Sequence, residues 1–232
     1  MNDQEKPESS EPEANEPESS EPASSEPESS ELESSEPTNS HAGNSEYTSE
    51  DLQHLSDLEH VRERPSMYIG DTTGRGLHHL VFEVVDNSID EAMAGFATSV
   101  QVTINNDGSV TVEDDGRGIP VDRHDQLSEE AGREVSTVEG VMTVLKFGGK
   151  FEKGAYQTSG GLHGVGVTVV NFLSEWCEVE VYRDGHVYQQ EYQRGIPQGP
   201  VNRIGATKKE GTKTTFKPDG QIFQTTKFLY DT

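Results

Sequence analysis

Residues 77–95 constrain the fold of this chain more than any other stretch, because their sequence, LHHLVFEVVDNSIDEAMAG, follows a helical periodicity throughout. On a helix that turns about 100° per residue, apolar and polar side chains separate onto two sides. The apolar side consists of Val81, Val84, Val85, Ile89 and Ala92. The polar side consists of Glu83, Asn87, Asp90 and Glu91. We expect the apolar side to face the core.

The polar side of this helix is unusual because three acids and an amide share it, with no lysine or arginine at helical spacing. Like charges four residues apart mildly destabilise a helix, so we expect them to be compensated. A metal ion, a cation from another part of the chain or a water molecule to be activated could each do so. A solvated acidic face is the alternative, and the helix alone does not decide between these interpretations.

The acidic charge of the chain is concentrated at its N-terminus. The 232 residues carry a formal charge of −25, and residues 1–46 contribute −13 of it, from 14 acids and one lysine. A five-residue unit, ESSEP, occurs at 8–12, 18–22 and 33–37, with variants between them. Because glutamate, serine and proline offer nothing to bury, we expect a disordered, self-repelling tail over residues 1–46. The tail could be a solubilising or interaction arm or merely tolerated length, and we favour the last.

Composition excludes several classes of protein. The acidic balance argues against a basic nucleic-acid-binding module. The single cysteine, Cys177, excludes an intrachain disulfide and a cysteine-based zinc site, and it fits a reducing, cytoplasmic setting. No apolar run approaches about 20 residues, and the first residues do not resemble a signal peptide, so we expect neither a membrane span nor secretion.

Apolar periodicity and glycine punctuation predict the helices and the loops beyond the tail. The expected helices cover residues 52–61, 77–95, 138–145 and 167–175. The expected loops cover residues 64–76, 121–136 and 195–205.

Alternating apolar residues predict the strands. Residues 100–104 and 110–112 alternate on either side of an Asn-Asp-Gly turn, which is typical of a hairpin. A second hairpin is expected around Asp184-Gly185, and a last strand at 211–216. Because strands outnumber helices and hairpins join them, we predict an α+β protein. Its architecture would be a two-layer sandwich of a mixed, mostly antiparallel sheet with helices on one face.

Two glycine-rich segments indicate close approach of the backbone to a ligand. DDGRGIP, residues 114–120, directly follows a strand, and GGLHGVG, residues 160–166, opens a helix. Backbone N–H groups at a helix N-terminus bind anions, although tight turns alone would also explain the glycines. The Walker A motif is absent, and the second segment reverses the Rossmann glycine spacing. A nucleotide would therefore be bound by another design.

Four motifs occur in the order that the Bergerat ATP-binding fold uses. They are Glu83 with Asn87, Asp114-x-Gly116-x-Gly118, the glycine loop that opens a helix, and Gly211-Thr212. The order resembles the GHKL ATPases, a superfamily that includes gyrase, certain chaperones, sensor kinases and MutL. Residues 47–232 resemble most closely the B subunit family of bacterial DNA gyrase, a type II topoisomerase. The resemblance is carried by RPSMYIGD, FEVVDNSIDEA, DDGRGIP, GGKF, SGGLHGVGVTVVN and GTKTTF. The ATPase subunit of topoisomerase IV shares most of these strings, and GIPQGP slightly favours gyrase.

The resemblance implies roles for individual residues. Glu83 would be the catalytic general base that activates water against the γ-phosphate. Asn87 would complete the coordination of a Mg²⁺ ion held mainly by phosphate oxygens. Asp114 would accept a hydrogen bond from the adenine amino group, and Thr212 would support Asp114 and a bridging water.

The remaining residues implied by the resemblance lie mainly in the glycine-rich segments. Lys150 would contact the phosphates, and Tyr156 would contact the adenine. Tyr47 would contact the nucleotide bound to a second subunit. The others implied to bind ATP are Gly116, Gly118, Ile119, Gly161, Leu162, His163, Gly164, Val165 and Gly166. Three residues would line an aminocoumarin inhibitor site: Arg117, which would also pair with Glu91, Pro120 and Arg183.

The same resemblance implies partners. ATP would bridge two copies of the chain through an N-terminal arm that contains Tyr47 and Leu52. The gyrase A subunit and DNA would bind regions absent from this sequence, and ATP-driven dimerisation would support negative supercoiling. Because the transducer domain and its phosphate-contacting lysine are also absent, we expect this chain to bind ATP with little turnover. Turnover comparable to that of longer proteins would contradict this. A topoisomerase IV subunit and a truncated nucleotide-binding module without turnover are the alternatives.

Overall fold

The computed structural model of the protein describes residues 56–147 and 166–229. Within these ranges the helices are α1 (Asp57–Glu63), α2 (Ser66–Ile69), α3 (Gly74–Met93), α4 (Asp125–Ala131), α5 (Thr137–Thr143) and α6 (Gly166–Phe172). The strands are β1 (Val100–Ile104), β2 (Val110–Asp114), β3 (Ser174–Arg183), β4 (His186–Gln193), β5 (Ile196–Pro197), β6 (Asn202–Ala206) and β7 (Gly211–Pro218).

The strands form one sheet in the order β1-β2-β7-β3-β4-β5, and β6 also pairs with β4. Both predicted hairpins are present, as β1–β2 and β3–β4. Every pairing between described strands is antiparallel. The predicted α+β fold is therefore confirmed, with no parallel pair in the described part of the sheet. β7, the last of the described strands, lies in the middle of the sheet between β2 and β3.

The core lies between the sheet and the helices. The alternation in β2 buries Val110 and Val112, while α3 contributes Leu77, Leu80 and Val84 to the same cluster. Burying one such side chain stabilises the fold by roughly 1.5–3 kcal/mol, so α3 is held mainly by this stripe. A Leu80→Ala substitution would leave a cavity and cost roughly 2–5 kcal/mol.

The long helix begins earlier than predicted, at Gly74 instead of residue 77. Its N-cap is Thr73, whose hydroxyl accepts a hydrogen bond from the Arg75 N–H. Asp71 supports this turn, because its carboxylate accepts from the N–H and O–H of Thr73 and from the N–H of Gly76. The bonds from Thr73, followed by that from Gly76, hold the pKa of Asp71 well below its ordinary value.

The assignment of faces on α3 was wrong at two positions. Ile89, expected in the core, is 39% exposed, and Asp90, expected on the polar side, is only 1% exposed. The helix contacts the sheet on one side and α6 on an adjacent flank, where Gly166 meets Glu83. Asp90 lies two turns beyond Glu83 and is buried, whereas Glu83 itself is partly exposed. Ile89 falls two turns beyond the exposed Phe82, on the outer side of the helix.

The predicted loops contain regular structure. Residues 121–136 include α4, which is capped by the His124 side chain and ends at Gly132 in the left-handed conformation. Residues 64–76 include α2 and the first turn of α3, and residues 195–205 include β5 and most of β6. The helix expected at 167–175 ends at Phe172 because Ser174 already belongs to β3. The first part of the helix expected at 52–61 lies outside the described residues.

A buried carboxylate fixes α1 to the rest of the domain. Asp219, 1% exposed, accepts hydrogen bonds at 2.8 Å from Nη2 of Arg62 on α1 and from Nε of Arg194, which follows β4. Arg62 also donates to the carbonyl of Phe172, the last residue of α6, at 2.7 Å. One ion-pair cluster therefore joins three separate segments. Across residues 56–147 and 166–229, none of the helices is long and apolar enough to cross a membrane.

Candidate nucleotide site

Asp114, at the end of β2, lies where α3 and the start of β7 meet. Its carboxylate is nearly buried and has three hydrogen-bond donors. The Ser88 hydroxyl donates to Oδ2 at 2.8 Å, and the N–H groups of Gly116 and Thr212 donate to Oδ1 at 3.0 and 3.3 Å. The carboxylate is thus held by a helix, by its own loop and by the central strand.

Burial raises the pKa of the Asp114 carboxyl above its ordinary value, and the negative charge of Glu91 adds to this. The bonds from Ser88, Gly116 and Thr212 act in the opposite direction but do not cancel the effect of burial. Perturbed carboxyls in such positions are frequent at functional sites.

Three glycines allow the loop to pass this closely. Gly118 has φ of +73°, and a Cβ there would lie 3.0 Å from the carbonyl oxygens of Gly211 and Tyr182. A Cβ on Gly116 would lie 3.0 Å from Oδ1 of Asp114. Gly211 has φ of +130°, and its Cβ would lie 1.9 Å from the Asp114 carbonyl oxygen. The motif glycines therefore set the distance between the loop, β2 and β7.

The acidic side of α3 has a cation from elsewhere in the chain, as predicted. Arg117 donates from Nε and Nη2 to the Glu91 carboxylate at 3.0 and 2.7 Å, and its guanidinium lies 3.8 Å from the centre of the Phe96 ring. Arg183, at the end of β3, donates to the Gly118 carbonyl at 3.0 Å. Both arginines expected at an inhibitor site therefore hold the glycine loop.

The rest of the loop is fixed by β7. The Thr212 hydroxyl accepts from the N–H of Ile119 at 3.3 Å, while the Thr212 backbone, and not its side chain, contacts Asp114. Ile119 packs against the core, and Pro120 is exposed beside it. Thr212 thus supports Asp114 directly through its amide and indirectly through the loop.

Glu83 lies on α3, next to the first residue of α6. A Cβ on Gly166 would lie 2.1 Å from Oε2 of Glu83, so only glycine allows this contact. On the other side, Nε2 of His79 lies 3.1 Å from Oε1 of Glu83. The Asn87 side-chain nitrogen donates to the Glu83 carbonyl at 3.0 Å, which fixes the amide one turn away.

The oxygen atoms of Glu83 and Asn87 have the chemistry that a hard cation such as Mg²⁺ requires. Among the described residues, no three His, Cys, Asp or Glu side chains are grouped to hold a metal ion. Mg²⁺ usually keeps several waters and takes one or two protein ligands together with phosphate oxygens. The oxygen atoms of Glu83 and Asn87 therefore fit a Mg²⁺ ion whose other ligands are phosphate oxygens and water.

The described structure places the predicted site residues in two groups. Glu83, Asn87 and Gly166 lie together at the middle of α3 and the start of α6. The second group lies where the β2 end meets β3 and β7, and it consists of Asp114, Gly116, Arg117, Gly118, Ile119, Pro120, Arg183 and Thr212. The other predicted site residues lie outside the described residues: Tyr47, Lys150, Tyr156, Gly161, Leu162, His163, Gly164 and Val165. Their roles stay predictions.

Two site residues were not predicted. Ser88 follows Val84 by four residues, so it occupies a core-facing position, and a polar group there needs a partner. His79 precedes Glu83 by four residues, a spacing that brings side chains together on a helix. Both signals were present in the sequence.

Comparison with known proteins identifies the family of the chain. Residues 72–222 match the family model described as histidine kinase-, DNA gyrase B-, and HSP90-like ATPase. The match covers well over half of the chain, so the chain belongs to this family of ATPases.

Individual relatives are more specific. The chain is 57% identical over 186 residues to the type 2 topoisomerase B subunit of Aquifex aeolicus, and the match covers 80% of this chain and 23% of that protein. It is 59% identical over 182 residues to the DNA gyrase B subunit of Thermotoga maritima, covering 78% and 28% of the two chains. It is 54% identical over 187 residues to a DNA topoisomerase 4 B subunit of Staphylococcus epidermidis, covering 80% and 27%. The chain thus spans about a quarter of the length of these relatives.

Proposed function

We propose that residues 47–232 form the ATP-binding and ATP-hydrolysing domain of the B subunit of a type II DNA topoisomerase of the gyrase type. The observation that carries the proposal is the Asp114 carboxylate, held by Ser88, Gly116 and Thr212. Beside it runs a loop in which a Cβ at Gly116 or Gly118 would lie 3.0 Å from neighbouring atoms. This arrangement occurs in a chain that belongs to an ATPase family and is similar to topoisomerase B subunits.

In this proposal Asp114 accepts a hydrogen bond from the adenine amino group. Glu83 acts as the general base that takes a proton from the attacking water. His79 orients the Glu83 carboxylate, and Gly166 gives it room at the start of α6. Asn87 would be a ligand of Mg²⁺, which would neutralise charge on the phosphates. Lys150 and residues 161–166 would contact the triphosphate, while Tyr47 would reach the nucleotide of a second copy.

The partners belong to the proposal as well. ATP bound between two copies would link dimerisation to nucleotide binding, each favouring the other. Regions that longer relatives possess would bind the gyrase A subunit and DNA, and a protein that acts on bacterial DNA would be cytoplasmic. The acidic segment 1–46 would lie outside the ATPase domain, and we assign it no role.

A topoisomerase IV subunit is the second candidate, because the chain is 54% identical to a DNA topoisomerase 4 B subunit and 53–59% identical to gyrase B subunits. These values do not separate the two enzymes. Reconstitution of the full-length subunit with its A-type partner separates them: ATP-dependent supercoiling supports gyrase, and decatenation without supercoiling supports topoisomerase IV.

Calorimetric titration of the chain with ATP and Mg²⁺ tests the nucleotide site itself. We expect saturable binding that is lost in Asp114→Asn. The carboxylate accepts a hydrogen bond from the adenine amino group, whereas the asparagine N–H₂ group in the same place is a donor and cannot. Glu129→Gln, an exposed acid on α4, is the matched control and should bind as the unchanged chain does. Binding by Asp114→Asn at unchanged affinity would contradict the adenine role, and no binding by the unchanged chain would contradict the proposed function of this chain.

A further inference from the structure

Ser88 makes an unusual contact for a serine inside a helix. A helical serine often donates to the carbonyl four residues earlier or points to solvent. Ser88 is 3% exposed, and its hydroxyl instead crosses from α3 to β2 and donates to Oδ2 of Asp114 at 2.8 Å. A buried hydroxyl without a partner is costly, so this bond fixes both side chains relative to each other.

The three donors leave little room for a further one on Asp114. Oδ1 accepts the N–H groups of Gly116 and Thr212, and Oδ2 accepts the Ser88 hydroxyl. A carboxylate offers about four acceptor positions, two on each oxygen. The position that remains is therefore on Oδ2, the oxygen that Ser88 holds.

We propose that Ser88 is a positioning residue that makes this site selective for a 6-amino purine over a 6-oxo purine. Its hydroxyl fixes Oδ2 of Asp114 and directs the remaining acceptor position of that oxygen to the base. The inference rests on the proposed function, because it concerns the base of the nucleotide that Asp114 would bind.

The chemistry of the two bases explains the selectivity. An ionised carboxylate accepts a hydrogen bond from an exocyclic amino group. It repels an oxo group, because both oxygens are acceptors and neither carries a proton. A protonated carboxyl could donate to that oxo group. Sites built around one hydrogen-bond pattern reject an analogue that leaves their buried groups unpaired.

The Ser88 bond also acts on the pKa of Asp114. Burial and the nearby Glu91 of α3 raise the pKa of Asp114, and Ser88 makes the largest contribution that lowers it. Arg117 of the glycine loop is bonded to Glu91, and on β7 the contact is the Thr212 amide. Removing the Ser88 hydroxyl would take away this contribution and raise the pKa further.

Calorimetric titrations with Mg²⁺-ATP and Mg²⁺-ITP, which differ at purine position 6, test the inference. For Ser88→Ala we expect ATP to bind about tenfold more weakly and the preference for ATP over ITP to fall about tenfold, as for one lost charge-assisted hydrogen bond. The preference should fall further as the pH is lowered. Ser88→Thr, which keeps the hydroxyl, should retain most of the preference.

Ser128→Ala is the control, since Ser128 is a buried serine on α4 with hydrogen bonds of its own to His124 and Val135. It should leave the preference unchanged, and thermal unfolding of each variant verifies that it is folded. If Ser88→Ala weakens ATP and ITP equally, so that the preference for ATP over ITP is unchanged, the inference is overturned. In that case the loss of ATP binding in Asp114→Asn would still support the proposed function. No ATP binding by the unchanged chain overturns both.

Discussion

Nε2 of His79 lies 3.1 Å from Oε1 of Glu83, one turn further along α3, while Oε2 of the same carboxylate lies against the first residue of α6. The side chains of His79 and Glu83 are 39% and 26% exposed, so water can reach the carboxylate. The carboxylate is thus oriented from both sides and remains accessible, which is what a general base for water requires.

Glu83→Gln should abolish most ATP hydrolysis while leaving ATP binding within a few-fold, because glutamine keeps the shape but cannot take a proton. General-base contributions are typically about 10²–10⁴-fold in rate. His79→Ala should lower the rate by a smaller factor, since the base remains but loses its orienting partner. Phosphate release with enzyme in excess over ATP measures both variants, and equal rates in Glu83→Gln and the unchanged chain would exclude Glu83 as the base.

Gly211→Ala should destabilise the domain and weaken ATP binding, because its Cβ would lie 1.9 Å from the backbone oxygen of Asp114 and its φ of +130° is unfavourable for alanine. The matched control is Gly185→Ala in the β3–β4 turn, where φ is +77° but no atom lies within 4 Å of the added Cβ. Gly185→Ala should cost only about 1–2 kcal/mol of backbone strain. Urea unfolding compares the two, and a Gly211→Ala variant as stable as Gly185→Ala would contradict the close packing of β7 against Asp114.

Asp219→Ala should reduce the free energy of unfolding by roughly 3–5 kcal/mol at neutral pH, since it leaves the guanidinium groups of Arg62 and Arg194 without their carboxylate. Asp125→Ala removes an exposed acid that lies 3.7 Å from Arg123, and it should cost about 1 kcal/mol or less. Urea unfolding at pH 7 gives both values. Similar losses in the two variants would mean that the ion pairs of Asp219 do not hold α1.

The Asp219 carboxylate should also account for part of the loss of folding stability in acid. Burial alone would raise the pKa of Asp219, but the bonds from Arg62, the Gln221 amide and Arg194 outweigh it and hold the pKa below the ordinary 3.8. A lowered folded-state pKa gives stability that is complete above the unfolded-state value and is lost as the pH falls through the folded-state value. The stability difference between the unchanged chain and Asp219→Ala should therefore shrink as the pH falls below about 4. A difference that stays constant down to pH 2 would contradict this.

Cys177 should react with thiol reagents only when the domain opens. The thiol is 1% exposed on β3, and burial, together with Glu178, raises its pKa far above the ordinary value. Since the thiolate is the reactive form, native-state labelling should be slow and should accelerate with denaturant in parallel with unfolding. Because the chain has one cysteine, an aromatic disulfide reagent reports this site alone. Rapid labelling that is independent of denaturant would contradict the packing of β3.

Features that depend on local pattern were predictable from the sequence. The two hairpins followed from alternation and turn glycines, and α3 from a long helical period. The pairing of Arg117 with Glu91 was also expected, because the family resemblance placed Arg117 where it could compensate the acidic face. In each case the signal lies in a few neighbouring residues or in a clear electrostatic need.

Features that depend on the tertiary contacts of a helix or strand were not predictable from the sequence. α4 has one large apolar residue, Leu127, so its helix is defined by caps and not by an apolar period. β6 is exposed along its whole length and shows no alternation of burial. For α3, periodicity predicted two faces, but the burial of Asp90 and the exposure of Ile89 depend on tertiary packing that the period does not specify.

The central position of β7 has a consequence for synthesis. β2 leaves its pairing edge open until residues 211–218 have been made, because the strand that completes it comes about a hundred residues later. Chain closure over such a separation is slow relative to hairpin formation. On a ribosome, the β1–β2 and β3–β4 hairpins can form first as separate pieces, and the arrival of β7 joins them into one sheet. The Asp114 carboxylate therefore acquires its Thr212 partner only in that final joining step, so a nascent chain cannot complete this site before the sheet itself is complete.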